Sequence, residues 1–134
     1  MSSDITVEDS CLSAFQDLKS KRAVNTVVFR LSDDLDAVVL DFTGNLTHEE
    51  LLKSLPAAEP RFVVYDLAFA TADGARRNLV VLISWCPEGT DAERRRAHSS
   101  AHGTLGDLLD GVQVHVQATV LAEVQYHELV ARAS

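Results

Sequence analysis

The chain has 134 residues, 46% hydrophobic and 24% charged, with a formal net charge of −8. That length suits one domain with a single hydrophobic core, and the composition is not that of a disordered chain. The acidic balance argues against general nucleic-acid binding and leaves any anionic partner to a local basic patch.

No apolar run approaches the ~20 residues that cross a bilayer. The start, Met-Ser-Ser-Asp-Ile-Thr-Val-Glu, lacks the basic flank and apolar core of a signal peptide. Cys11 and Cys86 match no metal or redox spacing, so the expectation is two reduced thiols in a cytosolic protein.

Residues 5–19 are predicted to form an amphipathic helix with Val7, Cys11, Phe15 and Leu18 on one stripe, capped by Thr6 or Asp4. Asn25–Leu31 and Asp36–Phe42 read as a hairpin across the polar turn Ser32-Asp33-Asp34. Thr47 and Glu50 have capping-box spacing ahead of Leu51, Leu52 and Leu55, and Pro56 stops that helix. Arg61–Phe69 and Asn78–Trp85 are strands, with Asp73-Gly74 giving the signal of a tight hairpin between them. The run Leu-Val-Val-Leu-Ile suggests that the second of them lies centrally, covered on both faces. A long helix over roughly 91–109, a strand at Val112–Val116 and a last helix over about 120–132, using Leu121, Val124 and Val130, complete the order. The expected fold is α/β: one domain over residues 1–134, a central mixed sheet of five to six strands, and helices on both faces.

The segment 85–111 carries most of the functional information. Trp85-Cys86-Pro87-Glu88 forms a corner, and Arg94-Arg95-Arg96 follows in the first turns of the long helix. A helix N-terminus already carries partial positive charge, so three arginines there do not serve the helix itself. Arginine makes planar, bidentate contacts with carboxylates, which points to an acidic protein surface as partner. Taken alone, the triplet could equally be a solvated helix face.

With the elements placed, the motifs resemble those of the actin-depolymerising factor/cofilin family. Arg61-Phe62-Val63-Val64-Tyr65-Asp66 is similar to that family's Cys-Arg-Tyr-x-x-Tyr-Asp strand, and Trp85-x-Pro87-Glu88 to its Trp-x-Pro-Asp corner. Ser99-Ser100 falls near its Tyr-Ala-Ser-Ser segment; Gln117-Ala118-Thr119 and Glu123-Val124 match the entry to its last helix. Val7, Phe15 and Leu18-Lys19 fit its first helix. The chain departs from the pattern after the serines, where His102-Gly103-Thr104-Leu105-Gly106-Asp107 replaces a lysine-rich stretch. Two interior glycines cost roughly 1 kcal/mol each relative to alanine, so a kink or soft point is expected near 103–106.

The resemblance implies an ADF-homology-like domain that binds actin monomers and filaments and promotes filament disassembly. It implies a preference for ADP-actin, competition by phosphoinositide headgroups, a monomeric protein in the cytoplasm and cytoskeleton, and no cofactor. It implies a monomer and filament contact through Ser2, Ser3, Asp4, Arg94, Arg95, Arg96, Ser99 and Ser100, with Ser3 a phosphorylation switch. A filament-only contact would use Arg76, Arg77, Glu123, Glu128 and Arg132. The alternatives are a monomer-sequestering binder with little severing and, more remotely, a small metal-dependent enzyme. His98 and His102 have the i, i+4 spacing of two metal ligands, but no third ligand is evident, and the plain reading is two exposed histidines near the interface. No phosphate loop, nucleophile elbow or acid/base pair is present, so catalysis is not expected.

Overall fold

The protein is described by a computed structural model over residues 5–21 and 24–133. The described elements run β1 (Thr6–Val7), α1 (Asp9–Gln16), β2 (Thr26–Leu31), β3 (Ala37–Gly44), α2 (His48–Ser54), β4 (Arg61–Ala70), β5 (Arg76–Trp85), α3 (Ala92–Leu108), β6 (Val114–Ala118) and α4 (Tyr126–Ala133). The strands form one mixed sheet in the order β1-β3-β2-β4-β5-β6. The pairs β3–β2, β2–β4 and β4–β5 are antiparallel, whereas β1–β3 and β5–β6 are parallel. A parallel pair needs a long crossover, and α3 supplies it between β5 and β6.

Side chains alternate across a strand, and here both faces of the sheet are apolar. Val27, Phe29, Phe62, Val64 and Leu82 meet Cys11, Phe15 and Leu18 from the α1 side and Ala101, Leu105 and Leu109 from the α3 side. Val28, Val63, Tyr65, Val81, Ile83 and Val116 meet Leu51 of α2 and Val124 and Leu129 near the C-terminus. This double covering is why the middle of β5 reads as an unbroken apolar run.

α2 carries the predicted capping box. The Thr47 hydroxyl accepts from the Glu50 amide at 3.1 Å, and the Glu50 carboxylate accepts from the Thr47 amide at 2.8 Å. The Trp85 indole N–H donates to the Pro56 carbonyl at 2.8 Å, tying the corner after β5 to the end of α2.

The structure differs from the sequence expectation at four places. Residues 5–19 are not one helix: Thr6 and Val7 pair with β3, α1 starts at Asp9 without a side-chain cap, and a wider π-helical turn occupies Asp17–Lys21. The link between β4 and β5 is five residues long, with Gly74 at φ 87° and the Asp73 carboxylate accepting from the Ala75 amide and the Thr71 hydroxyl. α3 runs unbroken through Gly103 and Gly106, because Ala101 and Leu105 hold that stretch on the sheet while both glycines face solvent. The last helix is divided: a 3₁₀ turn at Leu121–Val124 precedes α4, so Leu121 is exposed rather than packed.

Candidate functional site

The head of α3 is built by the corner that follows β5. The Cys86 amide donates to the Ala118 carbonyl of β6 at 3.0 Å, and the Thr90 amide to the Pro87 carbonyl at 3.0 Å. Asp91 is the N-cap, its carboxylate accepting from the Arg94 amide at 2.8 Å. That hydrogen bond holds the Asp91 carboxyl below the usual carboxylate range, with the Arg94 side chain adding to it. Asp91 and Glu93 thus place negative charge where the helix dipole favours it.

The three arginines diverge. A helix turns about 100° per residue, so neighbours cannot share a face. Arg94 reaches back to Asp91 at 2.6 Å and lines a polar hollow with Arg30, Glu59 and Arg61. Arg95 donates through Nη2 to the carbonyls of Glu88 at 3.2 Å and Thr90 at 2.8 Å, which fixes its guanidinium at the opposite flank. Arg96 is exposed on the outer side. Ser99 is exposed on the Arg95 flank, and Ser100 is half-buried.

Arg95, His98, Ser99 and His102 form one wall of a cavity of about 330 Å³; Ser84 and Cys86 of the β5 end, and Gln117 to Thr119 with Glu123, complete it. The Ser84 hydroxyl and His102 Nδ1 lie 2.7 Å apart, and the Gln117 amide nitrogen is 3.3 Å from His102 Nε2. These two contacts hold the His102 ring between β5 and β6. Among the described residues, no group of three His, Cys, Asp or Glu side chains could hold a metal ion.

His98 corrects the expectation of two exposed histidines. It is 6% exposed and stacks flat on Phe62, with ring centroids 4.2 Å apart and planes 8° from parallel. Neither of its ring nitrogens has a partner among the described residues. Burial, with His102 beside it, pushes its pKa down to about 4. His102 is half-buried and is also lowered, first by burial and then by His115.

Of the residues predicted for the monomer and filament contact, the structure brings Arg95 and Ser99 together and turns Arg94 away. Ser2, Ser3 and Asp4 lie outside the described residues. Of the filament-only set, Arg76 and Arg77 line a second hollow with Ala68, Phe69, Ala70 and Asn78. The Tyr126 hydroxyl at the start of α4 donates to the Ala68 carbonyl at 2.6 Å, bringing α4, with Glu128 and Arg132, toward that hairpin. Glu123 instead lines the α3 cavity, where its carboxylate accepts from the amides of Thr119 at 2.8 Å and Val120 at 3.4 Å. Those bonds lower its pKa, that from Thr119 most.

Sequence reasoning missed Val120 and Leu121, each 44% exposed beside Thr119 and Glu123. Two adjacent apolar residues cannot both face inward from one turn, and that was the signal available. Among the described residues, no helix is long and apolar enough to cross a membrane.

Comparison with known proteins gives a consistent result. A family model described as cofilin/tropomyosin-type actin-binding protein matches residues 4–134. The chain is 32% identical over 133 residues to actin-depolymerizing factor 6 of Oryza sativa subsp. japonica, covering 98% of this chain and 96% of that one. It is 32% identical over 127 residues to cofilin-1A of Dictyostelium discoideum, covering 93% and 92%. The crystal structure of Streptomyces griseoflavus cofilin superposes with a TM-score of 0.89 at 27% identity, covering 97% of each chain.

Proposed function

The chain belongs to the cofilin/tropomyosin-type family of actin-binding proteins, and we propose that it binds actin through the exposed flank of α3 and thereby promotes depolymerisation. It is an actin-binding protein and not an enzyme. The observation that carries the reading is Arg95: its guanidinium is fixed by two backbone carbonyls at the head of an unbroken helix, beside exposed Ser99. A preoriented cation loses little freedom when it meets a carboxylate, which favours binding.

In this reading Arg95 and Ser99 form the centre of the monomer and filament contact. Arg94, Arg96 and Ser100 lie at its border, and Ser2, Ser3 and Asp4 extend it from the N-terminus. Exposed Val120 and Leu121 add apolar area on the neighbouring segment. Phosphorylation of Ser3 would add nearly two negative charges and repel an acidic partner.

A filament-only contact uses Arg76, Arg77, Glu128 and Arg132 where α4 approaches the β4–β5 hairpin, with Glu123 of the cavity wall as its further member. Tighter binding to ADP-actin and to a twisted filament state would drive disassembly and severing by population shift. The protein acts as a monomer in the cytoplasm with the actin cytoskeleton, and phosphoinositide headgroups compete for its exposed arginines.

Titration against labelled ADP-actin and ATP-actin monomers, with single-filament microscopy alongside, tests this function. The expected result is tighter binding to the ADP form and accelerated filament loss. Absence of binding to either form refutes the reading, and binding without filament loss reduces the function to monomer sequestration.

A further inference from the structure

Cys86 stands half-buried on the wall of the 330 Å³ cavity and forms no disulfide. The rim residues Ser99, Gln117 and Thr119 are exposed, so the cavity opens to solvent. Cys11 is the opposite case: it has no exposed surface, its thiol donates to the Val38 carbonyl at 3.5 Å, and burial pushes its pKa up to about 11. Thiols that react are accessible and lie near positive charge, whereas buried ones are inert. Cys86 shares its cavity with Arg95, whose guanidinium is held in place, and with Glu123, whose carboxylate is already engaged by the Thr119 and Val120 amides.

The cavity wall also carries a buried polar side chain without a partner among the described residues. His98 lines it, is 6% exposed, and among the described residues has no partner for either ring nitrogen. Buried polar atoms are nearly always bonded to something, and here the adjoining space is of small-ligand size.

We propose that Cys86 is a modification site: it exchanges with the disulfide of a small, carboxylate-bearing cysteinyl peptide, and the acquired group lodges in the cavity against Arg95 and blocks the actin-facing flank of α3. The consequence for binding rests on the actin reading; the chemistry at Cys86 does not. In the exchange the Cys86 thiol gives its proton to solvent and its sulfur attacks one sulfur of the small disulfide. A new S–S bond forms as the old one breaks, and the second half leaves as a thiolate that takes up a proton. The protein thiol is oxidised and the departing half is reduced, so no further oxidant is needed.

The test treats the full-length protein with oxidised glutathione, maps adducts by mass spectrometry, and measures co-sedimentation with actin filaments before treatment, after it, and after dithiothreitol. The expected adduct is on Cys86 and not Cys11, with binding lost and then restored by reduction. Cys86→Ser, or Cys86→Ala should the first variant misfold, should bind actin normally and ignore the treatment. Neutral bis(2-hydroxyethyl) disulfide should react about tenfold more slowly, since it lacks the charge that Arg95 attracts. An unmodified Cys86, equal rates for the two disulfides, or an adduct that leaves binding intact would each overturn the proposal. If the untreated protein fails to bind actin, the actin reading falls, while a selective, charge-dependent adduct still supports the site.

Discussion

Lowering the pH from 7 to 5 should destabilise this protein by about 2 kcal/mol through His98 alone. His98 is 6% exposed, stacked on Phe62, and burial pushes its folded-state pKa down to about 4 from the ordinary histidine value of 6.5. The unfolded chain therefore takes up a proton that the folded chain refuses. For a group depressed in this way, the neutral fold is fully favoured above the unfolded pKa. Its advantage shrinks as pH falls below 6.5 and levels off below about 4. Each unit of difference is worth about 1.4 kcal/mol, so the full loss is about 3 kcal/mol. By pH 5 roughly 2 kcal/mol of it is gone. His48 and His102 are also lowered by burial and act in the same direction.

Urea unfolding of the wild type and His98→Leu at pH 7 and pH 5 isolates this contribution. Leucine keeps an apolar group against Phe62 and removes two buried nitrogens that lack partners. Unbonded buried polar groups cost roughly 1–3 kcal/mol each, so the variant should match or exceed the wild type at pH 7. Its loss between the two pH values should be smaller by about 2 kcal/mol. Equal losses in the two proteins, or a His98 resonance titrating near 6.5, would show that the ring is not held neutral by burial.

Arg95→Ala should weaken actin binding at least about tenfold, since truncating a desolvated arginine–carboxylate contact costs about 2–5 kcal/mol; co-sedimentation and monomer titration measure it. Ser3→Glu should abolish binding in the same assays if Ser3 is the switch, because it brings like charge to an acidic partner. Gly103→Ala and Gly106→Ala should each stabilise α3 by about 0.5–1 kcal/mol, as a Cβ at either position meets nothing within 4 Å; thermal unfolding reads the gain. Thr47→Ala should lower stability by about 1 kcal/mol by opening the capping box of α2.

The strands were legible where their chemistry is local. β2, β4 and β5 combine β-branched and aromatic residues over six to ten positions, enough to override other tendencies. β1 is two residues long and exists only because Ala37 and Val38 of β3 offer it partners. No pattern of that length can announce itself. The glycines of α3 misled in the opposite direction. Propensity argued for a kink, yet helices in proteins draw most of their stability from packing. Ala101, Leu105 and Leu109 supply that packing from the inner side.

The site was legible in composition but not in direction. Arg94, Arg95 and Arg96 read as one patch, and the helical turn divides them. Asp91 engages Arg94, two carbonyls fix Arg95, and Arg96 is exposed on the outer side. His98 could have been found: the buried stripe of Leu105 and Ala101, continued back by three residues, lands on it. A polar residue on such a stripe signals a neutral, buried imidazole. The same geometry resolves why an acidic chain places arginines where a helix dipole disfavours them. Asp91 and Glu93 offset the cost locally, and the offset consumes one of the three cations. The N-cap carboxylate thus engages Arg94, while Arg95, one residue on, is left to the Glu88 and Thr90 carbonyls. Removing Asp91 would release Arg94 and weaken the helix head together, so one carboxylate sets both the fold of this end and the charge it exposes.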